Sequence, residues 1–363
     1  MNSITGDPHN FGRRVRLTDD GRVFKPRSVT WEHLFLSKTP FREFLEKILL
    51  DTDAKLNPFS LFPTLTFETD YGLEKSGFVS NLVLNPIQNE DDISETTLSL
   101  VGSIIGLLCW FGITDLHSKN MAFGLDGKRR IIYCPLDIEC IFEDIKLPSQ
   151  TLLLPSEKVA PDKIGLSKIK QLFKGSPTLP QIAAICYGYW TTFLALSSRN
   201  EEIDKFIFGL QGFEKWPIRL VLRSTSIYQA FLDGRSTDEE RELPFFKEEK
   251  EQLFRGDIPY FFRFPLSEKP NFYDTPQTTK PFEVTANEFK LLSIIQSAVV
   301  GNGIPRKNHS ILQRAGLLQL AKFFASDHIS VERVEFKEMH LGFEKDEIFF
   351  TDSKSHIEIA CKR

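Results

Sequence analysis

Residues 97–112, TLSLVGSIIGLLCWFG, run through sixteen positions without a charged side chain. A bilayer span needs about 18 consecutive apolar residues, and this stretch falls short of that. Ser94 with Glu95 suits a helix start just before it, so the stretch reads as a helix over 97–112 in a chain with no membrane span. The N-terminal MNSITGDPHNFGRR lacks the apolar core of a signal peptide, and the expected location is the cytoplasm. Directly after the apolar helix comes DLHSKN, residues 115–120. An aspartate, a histidine and an asparagine packed into six residues at that point ask for a chemical explanation.

Composition narrows the function classes. At 363 residues the chain can hold two or three packed units. A formal charge of −4 gives no overall basic field, so nucleic acid is not an expected partner and an anionic ligand would need a focused site. Five cysteines, at 109, 134, 140, 186 and 361, are odd in number and lack the short paired spacing of zinc sites. They are expected to be reduced thiols.

Residues 12–26 alternate apolar and charged positions on either side of Asp20-Gly21, which predicts a β-hairpin. Between 30 and 51, Pro40 separates a short apolar piece from a helically spaced set, Phe41, Phe44, Leu45, Ile48 and Leu49. LFPTLTFET, residues 61–69, is a strand candidate. The acidic NEDDISETT marks a change of character near residue 90. The expected boundary therefore lies between Tyr71 and Asn89, dividing an α+β protein into units 1–84 and 85–363. A second hairpin is predicted around Asp126-Gly127, and helices over 166–174, 179–198, 200–211, 287–300 and 310–326. The segments 145–165 and 234–284 read as long irregular stretches.

Asp115, Asn120 and Asp137 offer oxygen ligands or a base on a loop after a helix and at a strand end. Phosphoryl transfer needs such a set, because a magnesium ion must be held beside a carboxylate able to take a hydroxyl proton. The order aspartate, asparagine five residues on, hairpin, aspartate is that of protein kinases. A turn rich in Asp and Asn, capped by its own side chains, would also give the first part of this pattern. Lys25 ends the second strand of the first hairpin, where a kinase-like fold holds a lysine against nucleotide phosphates; a solvated strand lysine is the alternative. GDPHNFG before that hairpin offers a turn whose backbone amides could face phosphates as an anion nest.

GDPHNFGRRV, FKPRS, GITDLHSKNMA, PLDIECIF, LRSTSIY and GDIPYF occur in this order from residue 6 to about 261. Together they resemble the successive signatures of the dehydratase domain of class II lanthipeptide synthetases. The resemblance implies a two-lobed, protein- or lipid-kinase-like fold with a small β-rich N-lobe and a larger, mainly helical C-lobe. It further implies that Ser and Thr of a ribosomal precursor peptide are phosphorylated with ATP and Mg2+. Phosphate elimination then leaves dehydroalanine or dehydrobutyrine. Carried over by motif, Lys25 contacts ATP phosphates, Asp115 is the catalytic aspartate, and Asn120 and Asp137 bind magnesium. His117 and Glu139 fill the remaining positions of their motifs, and Asp7 and His9 match the first motif, whose residues are tied to elimination. The sequence departs from the family in a shorter first hairpin and in HSKN, where His-Tyr-Glu-Asn is more usual. The helical region that precedes the first motif in full-length synthetases is not expected here. Nor is the zinc-dependent cyclase domain, so ring closure would need a separate enzyme.

Elimination needs cations to hold the departing phosphate. In PIRLVLRSTSIY, Ile218, Leu220 and Leu222 alternate with Arg219, Val221 and Arg223, which predicts a strand with Arg219, Arg223 and Thr225 on one face. Two guanidinium groups and a hydroxyl would form a phosphate seat; a helix with solvated arginines is the alternative. The function expected is thus a peptide dehydratase. A kinase-like phosphotransferase without elimination, and a nucleotide-binding pseudoenzyme scaffold, remain as alternatives.

Overall fold

The computed structural model describes residues 4–52, 54–68, 76–88, 93–156, 159–173, 177–235, 245–267, 269–276, 278–282, 304–325, 332–344, 347–353 and 357–362. The protein is mixed α and β, with small antiparallel sheets. The first is a five-stranded sheet of β1 (Ile4–His9), β2 (Arg13–Leu17), β3 (Arg22–Lys25), β4 (Phe67–Glu68) and β5 (Gly77–Ser80), in the order β1-β2-β3-β5-β4. The predicted hairpin is β2–β3. It turns at Asp20-Gly21, where Gly21 has a φ of +80° and Thr18 N–H donates to Arg22 C=O at 2.7 Å.

Helices α1 (Thr30–Leu36) and α2 (Pro40–Leu50) divide at Pro40, as expected. Thr39 caps α2 by accepting from Arg42 N–H at 3.1 Å, and a proline at the first helical position forfeits no internal bond. The strand candidate at 61–69 shrinks to Phe67–Glu68, preceded by a 3₁₀ turn at Pro58–Leu61. Pro63 has no N–H to give a ladder, which accounts for the loss.

The apolar run forms α3 (Glu95–Trp110), started by Ser94 accepting from Thr97 N–H at 3.1 Å. A helix apolar on all sides must be covered on all sides, and nearly every residue from Leu98 to Trp110 is buried. Next come the hairpin β6 (Met121–Leu125) and β7 (Ile131–Pro135), then α4 (Ser167–Leu172), α5 (Leu179–Ser198) and α6 (Asn200–Phe208). α3 lies directly on α5. A Cβ at Gly102 would stand 1.9 Å from Ile185 O, and one at Gly188 1.8 Å from Ser99 O, so the two backbones touch where only hydrogen fits. Ser103 and Thr192 bond across the same interface at 2.5 Å.

The remainder corrects one expectation. After β8 (Ile218–Leu220) and α7 (Thr225–Leu232), residues 234–284 are not one irregular stretch: α8 (Lys247–Phe254), β9 (Phe261–Arg263), β10 (Asn271–Tyr273) and β11 (Thr279–Pro281) lie there, and β8 joins the last three in a sheet of order β11-β10-β9-β8. The chain's last part adds strands that the sequence reading did not anticipate. After α9 (His309–Phe324) it ends in a four-stranded meander of β12 (Glu332–Phe336), β13 (Met339–Glu344), β14 (Glu347–Asp352) and β15 (Ile357–Lys362). In β14 Ile348 and Phe350 are buried while Phe349 and Thr351 are more exposed, the period-2 pattern of a sheet with one covered face. Trp190 of α5 donates to Asp352 at 2.9 Å and ties that sheet to the core. The helix expected over 287–300 lies outside the described residues. Cys109, Cys134, Cys140 and Cys186 are buried and unpaired, and no helix among the described residues is long and apolar enough to cross a membrane.

Replacing Gly188 with alanine is expected to force α3 and α5 apart and cost about 1–3 kcal/mol, the usual range for overpacking. Urea denaturation should show a lower midpoint at unchanged slope.

Candidate active site

A cavity of about 800 Å³ opens between the five-stranded sheet and the segments that follow α3 and β7. Lys25, at the end of β3, is buried and donates to Leu136 O at 2.6 Å and to Glu32 Oε1 at 2.8 Å. The first bond ties the sheet to the residue preceding Asp137. Glu32, from α1, is almost wholly buried, and a carboxylate in that position needs cations. Arg27 is the second: it bonds Glu32 at 2.5 Å and 3.1 Å, reaches Glu139 at 3.0 Å, and pairs with Asp137. Although burial disfavours its charge, Asp137, Glu32 and Glu139 hold Arg27 protonated well above its ordinary range.

The DLHSKN loop is shaped by backbone bonds to its surroundings. Gly112 turns the chain out of α3 at φ +57°, in a place where a Cβ would lie 2.1 Å from Glu143 O. Leu116 N–H donates to Thr151 O and Ser118 N–H to Lys163 O, both at 2.8 Å. Asp115 itself has φ +63°, a conformation that aspartate tolerates better than most residues. Asn120 Nδ2 donates to Asp115 O at 2.8 Å, which leaves Oδ1 as its free acceptor. Leu136 N–H donates to Asn120 O at 2.7 Å, so Asn120 and Asp137 are brought together through one backbone bond. Asp137 and Glu139 lie beyond the end of β7 rather than on it. They do not share a strand face; Arg27 gathers them instead.

Environment separates the titratable groups. Burial pushes the Asp115 carboxyl up to about 7, with Arg219 opposing and Glu139 and Asp137 adding to the rise. Burial would raise Asp137 as well, but Arg27, Lys25 and Arg219 outweigh it and hold that carboxyl below its usual range. His117 is lowered by burial despite Asp137 nearby. His9 is lowered to about 4, by burial first and then by Arg219. Both imidazoles are therefore neutral at pH 7.

Asp7, His9, Lys25, Asp115, His117, Asn120, Asp137, Glu139, Arg219 and Thr225 all line this one cavity. Arg223 is the exception among the residues singled out from sequence. The predicted strand stops at Leu220, and Ser224 caps α7 by accepting from Ser226 N–H at 3.4 Å. The alternation that would place Arg223 beside Arg219 is thus broken, and Arg223 pairs with the buried Glu249 at 2.9 Å. Of the three residues expected to form a phosphate seat, Arg219 and Thr225 line the cavity. Arg219 is also engaged: its backbone N–H donates to Glu139 O at 2.8 Å, and its guanidinium pairs with the Glu139 carboxylate. The GDPHNFG turn differs from expectation too. Phe11 and Gly12 N–H donate to Asp257 at 2.9 and 2.6 Å, so an internal carboxylate takes the amides proposed for phosphates.

Sequence reasoning missed Glu32, Arg27, Tyr260 and Asp257. Tyr260 lines the cavity, donates to Glu139 Oε2 at 3.2 Å and lies 5.4 Å from the Arg219 guanidinium. A usable signal existed for Glu32, because it is the acidic residue set among Trp31, Leu34, Phe35 and Leu36 in a short helix.

Among the described residues no group of three or more His, Cys, Asp or Glu is placed to hold a metal. Asn120 Oδ1 and the ionised Asp137 still suit magnesium, which takes one or two protein oxygens and completes its shell from phosphates and water. Compared with known proteins, the chain matches no protein-family model and no curated protein at a significant level.

Asp115 should leave a mark on stability. Its folded value of about 7 lies above the ordinary 3.8, so the protonated form favours folding; that contribution is present below about pH 4 and lost as pH rises through 7. The stability of wild type relative to Asp115→Asn is expected to decline across that window. Chemical denaturation of both proteins at a series of pH values measures it.

Proposed function

We propose that the protein is a lanthipeptide-type dehydratase, built as a two-lobed kinase-like fold whose cleft is this cavity. It would phosphorylate Ser and Thr of a ribosomal precursor peptide with ATP and then eliminate the phosphate. The observation that carries the reading is the convergence of residues from five distant segments, Asp7 and His9, Lys25, Asp115 to Asn120, Asp137 and Glu139, and Arg219 and Thr225, on one cavity. Val23, Leu36, Leu65, Phe67, Val79 and Leu82 supply an apolar wall of the same space, suited to a flat heteroaromatic base.

In the first step Asp115 takes the proton of the peptide hydroxyl as its oxygen attacks the γ-phosphorus, and ADP departs with the electrons of the broken bond. A carboxyl held near 7 is matched to that work at neutral pH. Lys25 steadies the nucleotide phosphates, and Glu32 fixes the lysine. Asn120 and Asp137 would hold magnesium, which on binding offsets phosphate charge. In the second step a neutral imidazole, His9 or His117, accepts the proton α to the carbonyl. The carbon–oxygen bond breaks towards phosphate, and a carbon–carbon double bond remains. Arg219 and Thr225 hold the leaving phosphate by charge and hydroxyl.

A phosphotransferase that stops after the first step is the second reading. One observation favours it: Arg223 is committed to Glu249, which leaves Arg219 as the cavity's arginine on that side.

Mass spectrometry of a Ser/Thr precursor peptide incubated with ATP and magnesium should show products lighter by water. Asp115→Asn should abolish both steps, and Arg219→Ala should leave phosphopeptide to accumulate, with elimination slowed at least tenfold. The phosphorylation rate should rise with pH through about 7 as Asp115 loses its proton. Stable phosphopeptide from wild type would select the second reading, and an inert mixture would reject both.

A further inference from the structure

Residues 10–12 carry three successive left-handed conformations, φ +46° at Asn10, +67° at Phe11 and +74° at Gly12. Such a run turns consecutive N–H groups towards one point and creates a seat for an anion. The anion seated there is Asp257, fully buried and 245 residues away in sequence. Its Oδ1 accepts from Gly12 N–H at 2.6 Å and its Oδ2 from Phe11 N–H at 2.9 Å. Arg255 balances the charge, with Nε 2.6 Å from Oδ2, and its guanidinium covers the Phe11 ring at 4.0 Å. The next residue extends the junction: Ile258 N–H donates to Pro8 O at 2.8 Å, and Ile258 O faces His9 Nδ1 at 2.9 Å. A backbone carbonyl only accepts, so the His9 proton sits on Nδ1 and the lone pair on Nε2. Tyr260 meets the His9 ring edge-on at 5.7 Å.

We propose that Asp257 is a positioning residue: by clasping the turn at 10–12 it docks His9 on Ile258 and presents that imidazole in one tautomer beside Arg219 in the cavity. The role of this end of the cavity in elimination rests on the function proposed above. The clasp itself rests on the hydrogen bonds. A left-handed turn with converging amides is costly to hold without an acceptor. Removing the carboxylate therefore releases the turn, and with it the register between Pro8-His9 and Ile258.

The experiment joins a spectrum to a rate. In wild type, 15N-edited NMR of the histidine rings should show His9 as a single Nδ1-protonated tautomer; Asp257→Ala should average or broaden that signal. A supplied phosphoserine peptide, which bypasses phosphorylation, should lose phosphate at least tenfold more slowly with Asp257→Ala. Its KM should stay within about twofold, and phosphorylation of the unmodified peptide should fall much less. Asp257→Asn keeps one acceptor oxygen and similar volume, should give intermediate values, and carries the test if the alanine variant does not fold. An unchanged His9 spectrum in either variant overturns the clasp, as does an equal fall in both steps. Wild type inert on phosphopeptide would reject the dehydratase reading, and the clasp would then be decided by the spectrum.

Discussion

Arg27 is the side chain on which the cavity's arrangement depends. It is almost wholly buried, and through one planar guanidinium it reaches Glu32 on α1 and Asp137 and Glu139 beyond β7. A buried charge is tolerated only when it is paired and hydrogen-bonded, so each of these groups depends on the others being in place. The fork of five donors explains why an arginine occupies this position: a lysine would bring the charge without the geometry to join three carboxylates. Lys25 adds a second junction between the same parts through Glu32 and Leu136 O. The five-stranded sheet is thereby locked to the loop that bears Asp137.

The electrical balance follows from this arrangement. Lys25, Arg27 and Arg219 are matched by Glu32, Asp137 and Glu139 in ion pairs or close approaches. Asp115 is a further carboxyl in the same space, with no Lys or Arg among the described residues in ion-pair contact with it; His117 lies 3.9 Å away, its pKa lowered by burial. Burial outweighs the opposing Arg219 at Asp115 and lifts it to about 7, while at Asp137 the cations prevail and hold the carboxyl down. Two aspartates a hairpin apart acquire opposite characters from one shared set of cations, as happens where acid–base work and charge binding divide between carboxylates.

Much of this was legible in the sequence, for reasons that differ from element to element. Both hairpins, the division at Pro40 and the start of α3 at Ser94 are local events, decided by turn and capping residues within a few positions. The residues of DLHSKN and PLDIEC were found because their chemistry is unusual for the loops that carry them. What escaped were the long-range pairings. The path after Leu220 depends on Glu139 docking Arg219 and on Ser224 capping α7, so alternation read through Arg223 misled. Asp257 as the anion of the GDPHNFG turn could not be inferred without knowing that residues 245 apart would meet. The terminal meander was obscured because its strands follow a helical stretch and the residues between them include no glycine or proline to mark the breaks.

The proposed chemistry asks Arg219 to serve two partners. It is joined to Glu139 twice, by backbone N–H to carbonyl and by guanidinium to carboxylate. A phosphate that drew the guanidinium away would leave the backbone bond intact, so β8 would stay docked while only the side chain changed partner. Glu139 would not be stranded by the exchange, because Arg27 at 3.0 Å and the Tyr260 hydroxyl at 3.2 Å remain with it. Breaking a buried pair is severe when it leaves one charge uncompensated. Here both charges keep partners, which makes Arg219 able to release a carboxylate for a phosphate without disturbing the loop that holds Asp137.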